Sequence, residues 1–249
     1  MIQSVDRAMR ILLALQEERL LGVSDLAKRL ELAKGTVHGL LQTLAAHSMV
    51  EQDPASGKYT LGPALLVMGN VYLDAHDLRV RSLRWAASLG ERTDLSVRVG
   101  VLVWPDVVVI HHLAAPSAPI PVSEVGLGMP AHATSLGKAI LAFRPDRSAL
   151  LRRGPLVRLT GETITDPGDL EGSLRDIQRG GVAFERQEAV VGESGVAGAV
   201  FDQTERVVGA IGVVVPGADL EESVVAVVRE TARAMSREMG ATTWPPHGE

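Results

Sequence analysis

The stretch Ser24-Asp-Leu-Ala-Lys-Arg-Leu-Glu-Leu-Ala-Lys-Gly-Thr-Val-His-Gly-Leu-Leu-Gln-Thr-Leu44 decides how the first part of the chain folds. Leu26, Ala27 and Leu30 recur at helical spacing, and Val37, Leu40, Leu41 and Leu44 do so again at i, i+3, i+4 and i+7. Glu31, Leu32 and Ala33 separate the two segments. Two amphipathic helices joined by so short a turn are the signature of a helix-turn-helix. Gly22 breaks the chain ahead of them, and Ser24 is the expected N-cap of the first, with Asp25 in its first turn. The second is expected from about Lys34 to His47.

Opposite its apolar stripe, this second helix carries Gly35, His38, Gly39, Gln42 and Thr43, with Lys34 and Thr36 near its start. Each glycine inside a helix costs about 1 kcal/mol relative to alanine. Glycines four residues apart leave a smooth surface that another molecule can approach closely. Gln42 and His38 suit hydrogen bonds to base edges, and Lys34 and Thr36 suit phosphates, so the face is expected to lie in a DNA groove. The competing reading is a packing helix with tolerated glycines. The short turn and the flanking sequence favour DNA.

Upstream, Val5, Ala8, Leu12 and Leu15 predict a first helix that buries that stripe. Downstream, two alternating segments between Val50 and Leu61 flank Asp53-Pro-Ala-Ser-Gly57, which predicts a β-hairpin, the wing of a winged helix. Lys58 follows that turn and is a further candidate for a phosphate contact. The expected divisions are residues 1–62 for the winged helix, 63–76 for a linker helix, and 77–249 for a second domain. There the strand candidates are Leu95–Val103, Val107–Leu113, Ile120–Val125, Val182–Glu185, Ser194–Val200 and Val207–Val215. The helix candidates are Ser135–Phe143, Asp146–Arg152, Leu170–Arg179 and Leu220–Met239. Their irregular interleaving predicts an α+β fold with a mixed or antiparallel sheet. The tail Thr242–Glu249 is expected to fray.

Composition limits the chemistry. The chain has 249 residues, 46% of them hydrophobic, enough for packed cores, and it has no cysteine. Disulfides, thiolate metal sites and cysteine nucleophiles are excluded. Neither a signal peptide nor a membrane-length apolar run is visible, so a cytoplasmic location is expected. The net charge is −5. Residues 1–75 carry seven Arg and Lys against eight Asp and Glu, so attraction to DNA must come from the placement of charge and not from its sum.

Several motifs together resemble the IclR family of bacterial transcription regulators over nearly the whole chain. Ser4-Val-Asp-Arg-Ala-Met-Arg-Ile-Leu12 is similar to that family's first helix, and Leu32-Ala-Lys-Gly-Thr-Val-His-Gly-Leu-Leu41 to its recognition-helix entry. Val125-Gly-Leu-Gly-Met-Pro-Ala-His-Ala-Thr-Ser-Leu-Gly-Lys-Ala-Ile-Leu-Ala142 resembles its most specific effector-domain motif, and Gly192–Asp202 a second one. Within the family, the DNA-binding half looks most like actinobacterial glycerol-operon repressors. The resemblance implies a GAF-like effector domain, a homodimer or homotetramer on a palindromic double-stranded operator, and a small-molecule effector. It further implies a repressor of a catabolic operon, with glycerol the candidate substrate, and neither cofactor nor metal.

The resemblance also implies effector contacts at Ala118, Met129, Ser135, Leu136, Glu185, Gly195, Gly212 and Val214. Here the chain departs from the family pattern. A frequent cysteine is Gly195, a following proline is Ala199, and two positions that can be serine are Gly212 and Val214. A pocket poorer in polar groups and richer in room and apolar surface is expected, and with it either a larger or less polar ligand or a site degraded as a sensor. Free N–H groups where a helix starts at Ser135 would favour an anion, and Gly137 permits close backbone approach. A plain packing junction is the alternative.

The rival function is a small-molecule-processing enzyme that uses His132, Ser135 and Lys138, with Glu185 or Glu188 as the carboxylate. Against it, Ser135 lies in Ala-Thr-Ser-Leu-Gly and not in Gly-x-Ser-x-Gly. His111 and His112 are adjacent on a predicted strand and should face opposite sides, which argues against a metal site.

Overall fold

The computed structural model describes residues 2–117, 123–217 and 220–246. The chain divides into two compact units, Met1–Ala75 and His76–Glu249.

The first unit holds α1 (Gln3–Glu17), α2 (Val23–Leu30), α3 (Lys34–Ala46), β1 (Val50–Gln52), β2 (Tyr59–Leu61) and α4 (Ala64–Ala75). Its core joins Ile11, Ala14 and Leu15 of α1, Leu26 and Leu30 of α2, and Val37, Leu41 and Leu44 of α3 to Val50 and Tyr59 of the hairpin. The wing forms as expected: β1 and β2 pair antiparallel, with Val50 opposite Leu61. Asp53 shapes its turn by accepting from the backbone N–H groups of Ala55 and Ser56, and Gly57 takes a left-handed φ of 69° that favours glycine. Gly62 is fixed by packing, because a Cβ there would lie 2.2 Å from the Ser48 carbonyl oxygen.

Two local expectations in this unit need correction. Helix α2 begins at Val23 with Gly22 as its N-cap, and Ser24 lies inside it. Asp25 supplies the cap interaction by accepting from Gly22 N–H at 3.1 Å. On α1 the buried stripe is Ile11, Ala14 and Leu15, whereas Val5 is exposed. The helix is apolar on more than one side, and periodicity alone does not say which side its own domain covers.

The second unit is built on a six-stranded sheet in the order β5-β4-β3-β8-β7-β6. The strands are β3 (Ser96–Val103), β4 (Asp106–Leu113), β5 (Gly128–Pro130), β6 (Val182–Arg186), β7 (Glu193–Phe201) and β8 (Val207–Pro216). Every pairing is antiparallel, so the sheet is antiparallel and not mixed. Successive residues of β7 face opposite sides. A Cβ on Gly195 would meet Ser135 of α6 (Ser135–Ala142), and one on Gly198 would meet Ala232 of α9 (Glu222–Glu238). Helix α9, with α5 (Asp77–Thr93), therefore covers one face, and α6, with α7 (Arg147–Leu151) and α8 (Pro167–Gly180), builds the core on the other. Phe201 and Phe143 meet edge-on there, with ring centroids 4.9 Å apart.

Two further expectations fail here. Of the strand expected at Ile120–Val125, residues 120–122 lie outside the described residues and 123–125 are not strand; the short strand falls at Gly128–Pro130 instead. The tail is not loose up to Trp244: its indole N–H donates to Ala199 O at 2.8 Å, and the Thr242 and Thr243 hydroxyls donate to Glu205. The single polar sequence Thr-Thr resembles a frayed end, and only the fold supplies its partner.

All eight residues of α6 are buried, Lys138 included. The Lys138 ammonium donates to both carboxylate oxygens of Glu188, at 2.6 and 2.8 Å. Burial pushes its pKa below the ordinary lysine value against the pull of Glu188. Removing one partner of such a pair leaves a buried charge. Lys138→Met is expected to destabilise the second unit by about 3–5 kcal/mol, and Lys138→Met with Glu188→Leu to recover most of that loss, as read from urea unfolding midpoints.

Candidate functional site

The outer face of α3 is left uncovered by the packing of the first unit. Lys34, Gly35, His38, Gly39, Gln42 and Thr43 are exposed, as is Lys58 beyond the wing turn, while Thr36 is half-buried. A Cβ built on Gly35 or Gly39 meets nothing within 4 Å, so no packing inside this unit calls for either glycine. The Thr43 hydroxyl donates back to Gly39 O at 3.0 Å, which leaves its lone pairs as its outward chemistry. Arg29 is neutralised by Glu17 and Glu18, whereas Lys34 and Lys58 make no ion pair among the described residues. Helix α3 also starts on Ala33, which gives no side-chain cap. The N–H groups of its first turn are thus open beside Lys34, an arrangement that favours a phosphate. The sequence signal was present: alanine stands where Ser, Thr, Asp or Asn is the usual cap.

The second unit contains a cavity between the sheet and the start of α6, with about 520 Å³ of space counting its open mouth. Met129, Ser135, Leu136, Glu185, Gly195, Gly212 and Val214 all line it, drawn from β5, α6, β6, β7 and β8. Ala118 lies outside the described residues. Thr134 caps α6 by accepting from Gly137 N–H at 3.0 Å, which sets Ser135 and Leu136 at the cavity wall. Gly137 serves packing: a Cβ there would lie 2.2 Å from Ala131 O in the preceding turn.

The cavity is less stripped of polar groups than expected, because Arg98, Thr134 and Glu193 also line it. Arg98 faces Gly212 across the β3–β8 register, a neighbour more than a hundred residues away that no local pattern reveals. Nor does glycine at 212 simply enlarge the space, since a Cβ there would lie 2.5 Å from Val196 O and 2.6 Å from the Ala197 Cβ. At Gly195, by contrast, the added atom would meet the Ser135 hydroxyl at 2.7 Å, so the missing side chain uncovers that oxygen.

Two carboxyl groups set the electrostatics. Burial pushes the Glu185 carboxyl above its ordinary pKa, although its Oε1 accepts from the N–H groups of Glu188 (2.7 Å) and Ala189 (3.3 Å). Arg98 binds Glu124 through two bonds, Nη2 to Oε1 at 2.8 Å and Nε to the other oxygen, and Glu193 stands 3.9 Å from the same guanidinium. Burial raises the Glu124 pKa, but the Arg98 hydrogen bond and charge outweigh it and the net shift is downward.

Two members of the enzymatic trio, His132 and Lys138, are held by other partners. His132 Nε2 is 3.0 Å from Val157 O, and Lys138 is paired with Glu188. His112 Nδ1 accepts from Glu124 N–H at 3.4 Å. Among the described residues no group of three His, Asp or Glu is placed to hold a metal ion, and no helix is long and apolar enough to cross a membrane.

Comparison with known proteins covers both units. The IclR helix-turn-helix domain family matches residues 4–54, and the family described as bacterial transcriptional regulator IclR C-terminal matches residues 70–239. A glycerol operon regulatory protein of Streptomyces griseus is 42% identical over 247 residues, spanning 96% of this chain and 97% of that protein. A protein of the same description from Streptomyces coelicolor is 38% identical, with the same two coverages. The crystal structure of an IclR regulator from Silicibacter sp. TM1040 superposes with a TM-score of 0.82, at 23% identity over 97% of this chain and 98% of that one.

The open space around Gly35 and Gly39 yields a paired test. Gly35→Ala and Gly39→Ala should each stabilise the first unit by up to about 1 kcal/mol. Both should weaken promoter binding in a gel-shift, because the new methyl group holds the helix off its partner. A glycine tolerated only by accident would show the gain in stability with no loss of binding.

Proposed function

The chain belongs to the IclR family of bacterial transcriptional regulators, and from that premise we propose that it represses a glycerol catabolic operon and is released by a small molecule held in the second unit's cavity. The observation that carries the reading is the uncovered, glycine-lined face of α3 beside a wing. A face with hydrogen-bonding side chains, an uncapped helix start and unpaired lysines suits a major groove and its phosphates. The glycerol assignment is supported by the two Streptomyces relatives that regulate that operon.

The protein acts as a homodimer or homotetramer on a palindromic operator in the cytoplasm. Val5, Met9 and Leu13 of α1, with Ile2 just before it, and Leu66, Val67, Met68 and Val71 of α4 are all exposed, and α4 has no buried residue. A second copy covering these apolar faces would place two recognition helices on two half-sites. A regulator is favoured over an enzyme because the relatives are transcription regulators and because His132 and Lys138 are each bound to a group other than Ser135.

A gel-shift on the chain's own promoter tests the proposal. Gln42→Ala is expected to weaken binding by about 1–3 kcal/mol and to relax sequence preference. Lys34→Ala should weaken it more evenly across sequences and reduce the salt slope by about 1. Glu185→Ala should leave promoter affinity intact while changing release by effector. Unchanged affinity in both helix variants would refute the assigned contact face.

A further inference from the structure

We infer that the cavity takes an uncharged polyhydroxy molecule and turns away carboxylates and phosphates, because its free side-chain atoms are hydroxyl and carboxyl oxygens and its arginine is already bound to a carboxylate of the protein. The inference rests on the reading of this cavity as the effector site.

Two free oxygens converge on the bare backbone of Gly195. The Ser135 hydroxyl, on a residue 8% exposed, has no hydrogen-bond partner among the described residues. Glu185 is 7% exposed, and its Oε1 is anchored by two backbone N–H groups while its Oε2 has no partner among those residues. A Cβ at Gly195 would lie 2.7 Å from the Ser135 oxygen and 3.4 Å from Glu185 Oε2, so one small ligand reaches both. A ligand hydroxyl donates to Glu185 and accepts from Ser135, pairing two cavity-facing oxygens that no group among the described residues satisfies. A ligand carboxylate has no proton to offer Glu185 when Glu185 is ionised. Val107, Val109, Met129 and Leu136 form the apolar wall for the carbon skeleton.

The charge balance points the same way. Arg98 is the one cation among the described lining residues, and Glu124 holds it through the bidentate geometry that makes arginine–carboxylate pairs strong. Glu193 stands by the same guanidinium, and Glu185 is across the cavity. An entering anion must displace Glu124 or face Glu185 and Glu193 without a free counter-charge. The open N–H groups at the start of α6 favour an anion, but they donate equally well to a hydroxyl oxygen.

The test is calorimetric titration of the full chain with glycerol, erythritol, glycerol 3-phosphate and lactate. Glycerol or erythritol is expected to bind at least about tenfold tighter than either anion. Glu124→Gln keeps the shape but releases Arg98, and should raise affinity for glycerol 3-phosphate by at least about tenfold while leaving the polyols little changed. Glu185→Gln, which still hydrogen-bonds, should retain polyol binding that Glu185→Ala loses. An anion bound more tightly than the polyols by the natural chain, no gain for the anion in Glu124→Gln, or no binding by any probe would each overturn the inference. A promoter gel-shift on the same preparations separates the two levels. Promoter binding without polyol binding sinks the ligand class alone; polyol binding without promoter binding supports the ligand class and counts against the regulator.

Discussion

The second unit depends on a closed circuit of contacts through a fully buried helix. Lys138 projects from α6 and holds the Glu188 carboxylate. The Glu188 backbone N–H in turn donates to Glu185, whose other oxygen faces the cavity beside Ser135, at the start of the same α6. An ammonium this deeply buried is tolerable only when paired and hydrogen-bonded. The pair therefore pins the segment after β6 to α6, and with it the Glu185 carboxyl and the Ser135 hydroxyl of the cavity wall. Gly137 tightens the same junction by resting against the Ala131 backbone.

The cavity wall follows from that circuit and from the antiparallel register. Arg98 on β3 faces Gly212 on β8, which faces Ala197 on β7, so strands far apart in sequence present adjoining pieces of one surface. The glycines within it do different things. Gly212 lets β7 and β8 lie close, whereas Gly195 leaves an oxygen of α6 uncovered. Reading both simply as lost side chains overstates how apolar the site is.

The first unit is governed by a small core and by where charge is left over. Its interior is one cluster shared by three helices and the wing. Arg29 is spent on Glu17 and Glu18, which ties α2 to the end of α1 at modest gain for an exposed pair. Lys34 stays at the uncapped start of α3. This eases the apparent conflict between the proposed DNA-binding role and the unit's slightly acidic sum: Glu17 and Glu18 are paired with Arg29, Asp25 and Asp53 accept from backbone N–H groups, and the candidate contact face keeps Lys34 and Lys58 without an ion pair among the described residues.

The local elements were legible in the sequence because their causes are local. Helical spacing of Val37, Leu41 and Leu44, the Asp53–Gly57 turn, and the short runs rich in apolar residues along β3, β4, β7 and β8 all act within a few residues. Motif resemblance went further and named seven residues that share one cavity. What it missed was decided by the tertiary structure: which side of α1 is covered, that Arg98 joins the wall, that Glu124 neutralises it, that Glu188 answers Lys138, and that Trp244 anchors the tail to Ala199. Each of those depends on groups distant in the sequence being brought into contact, by apolar packing, strand register or hydrogen bonding. Sequence periodicity sets the faces of helices and strands, but which faces and charges meet is settled only when the sheet closes its register around α6.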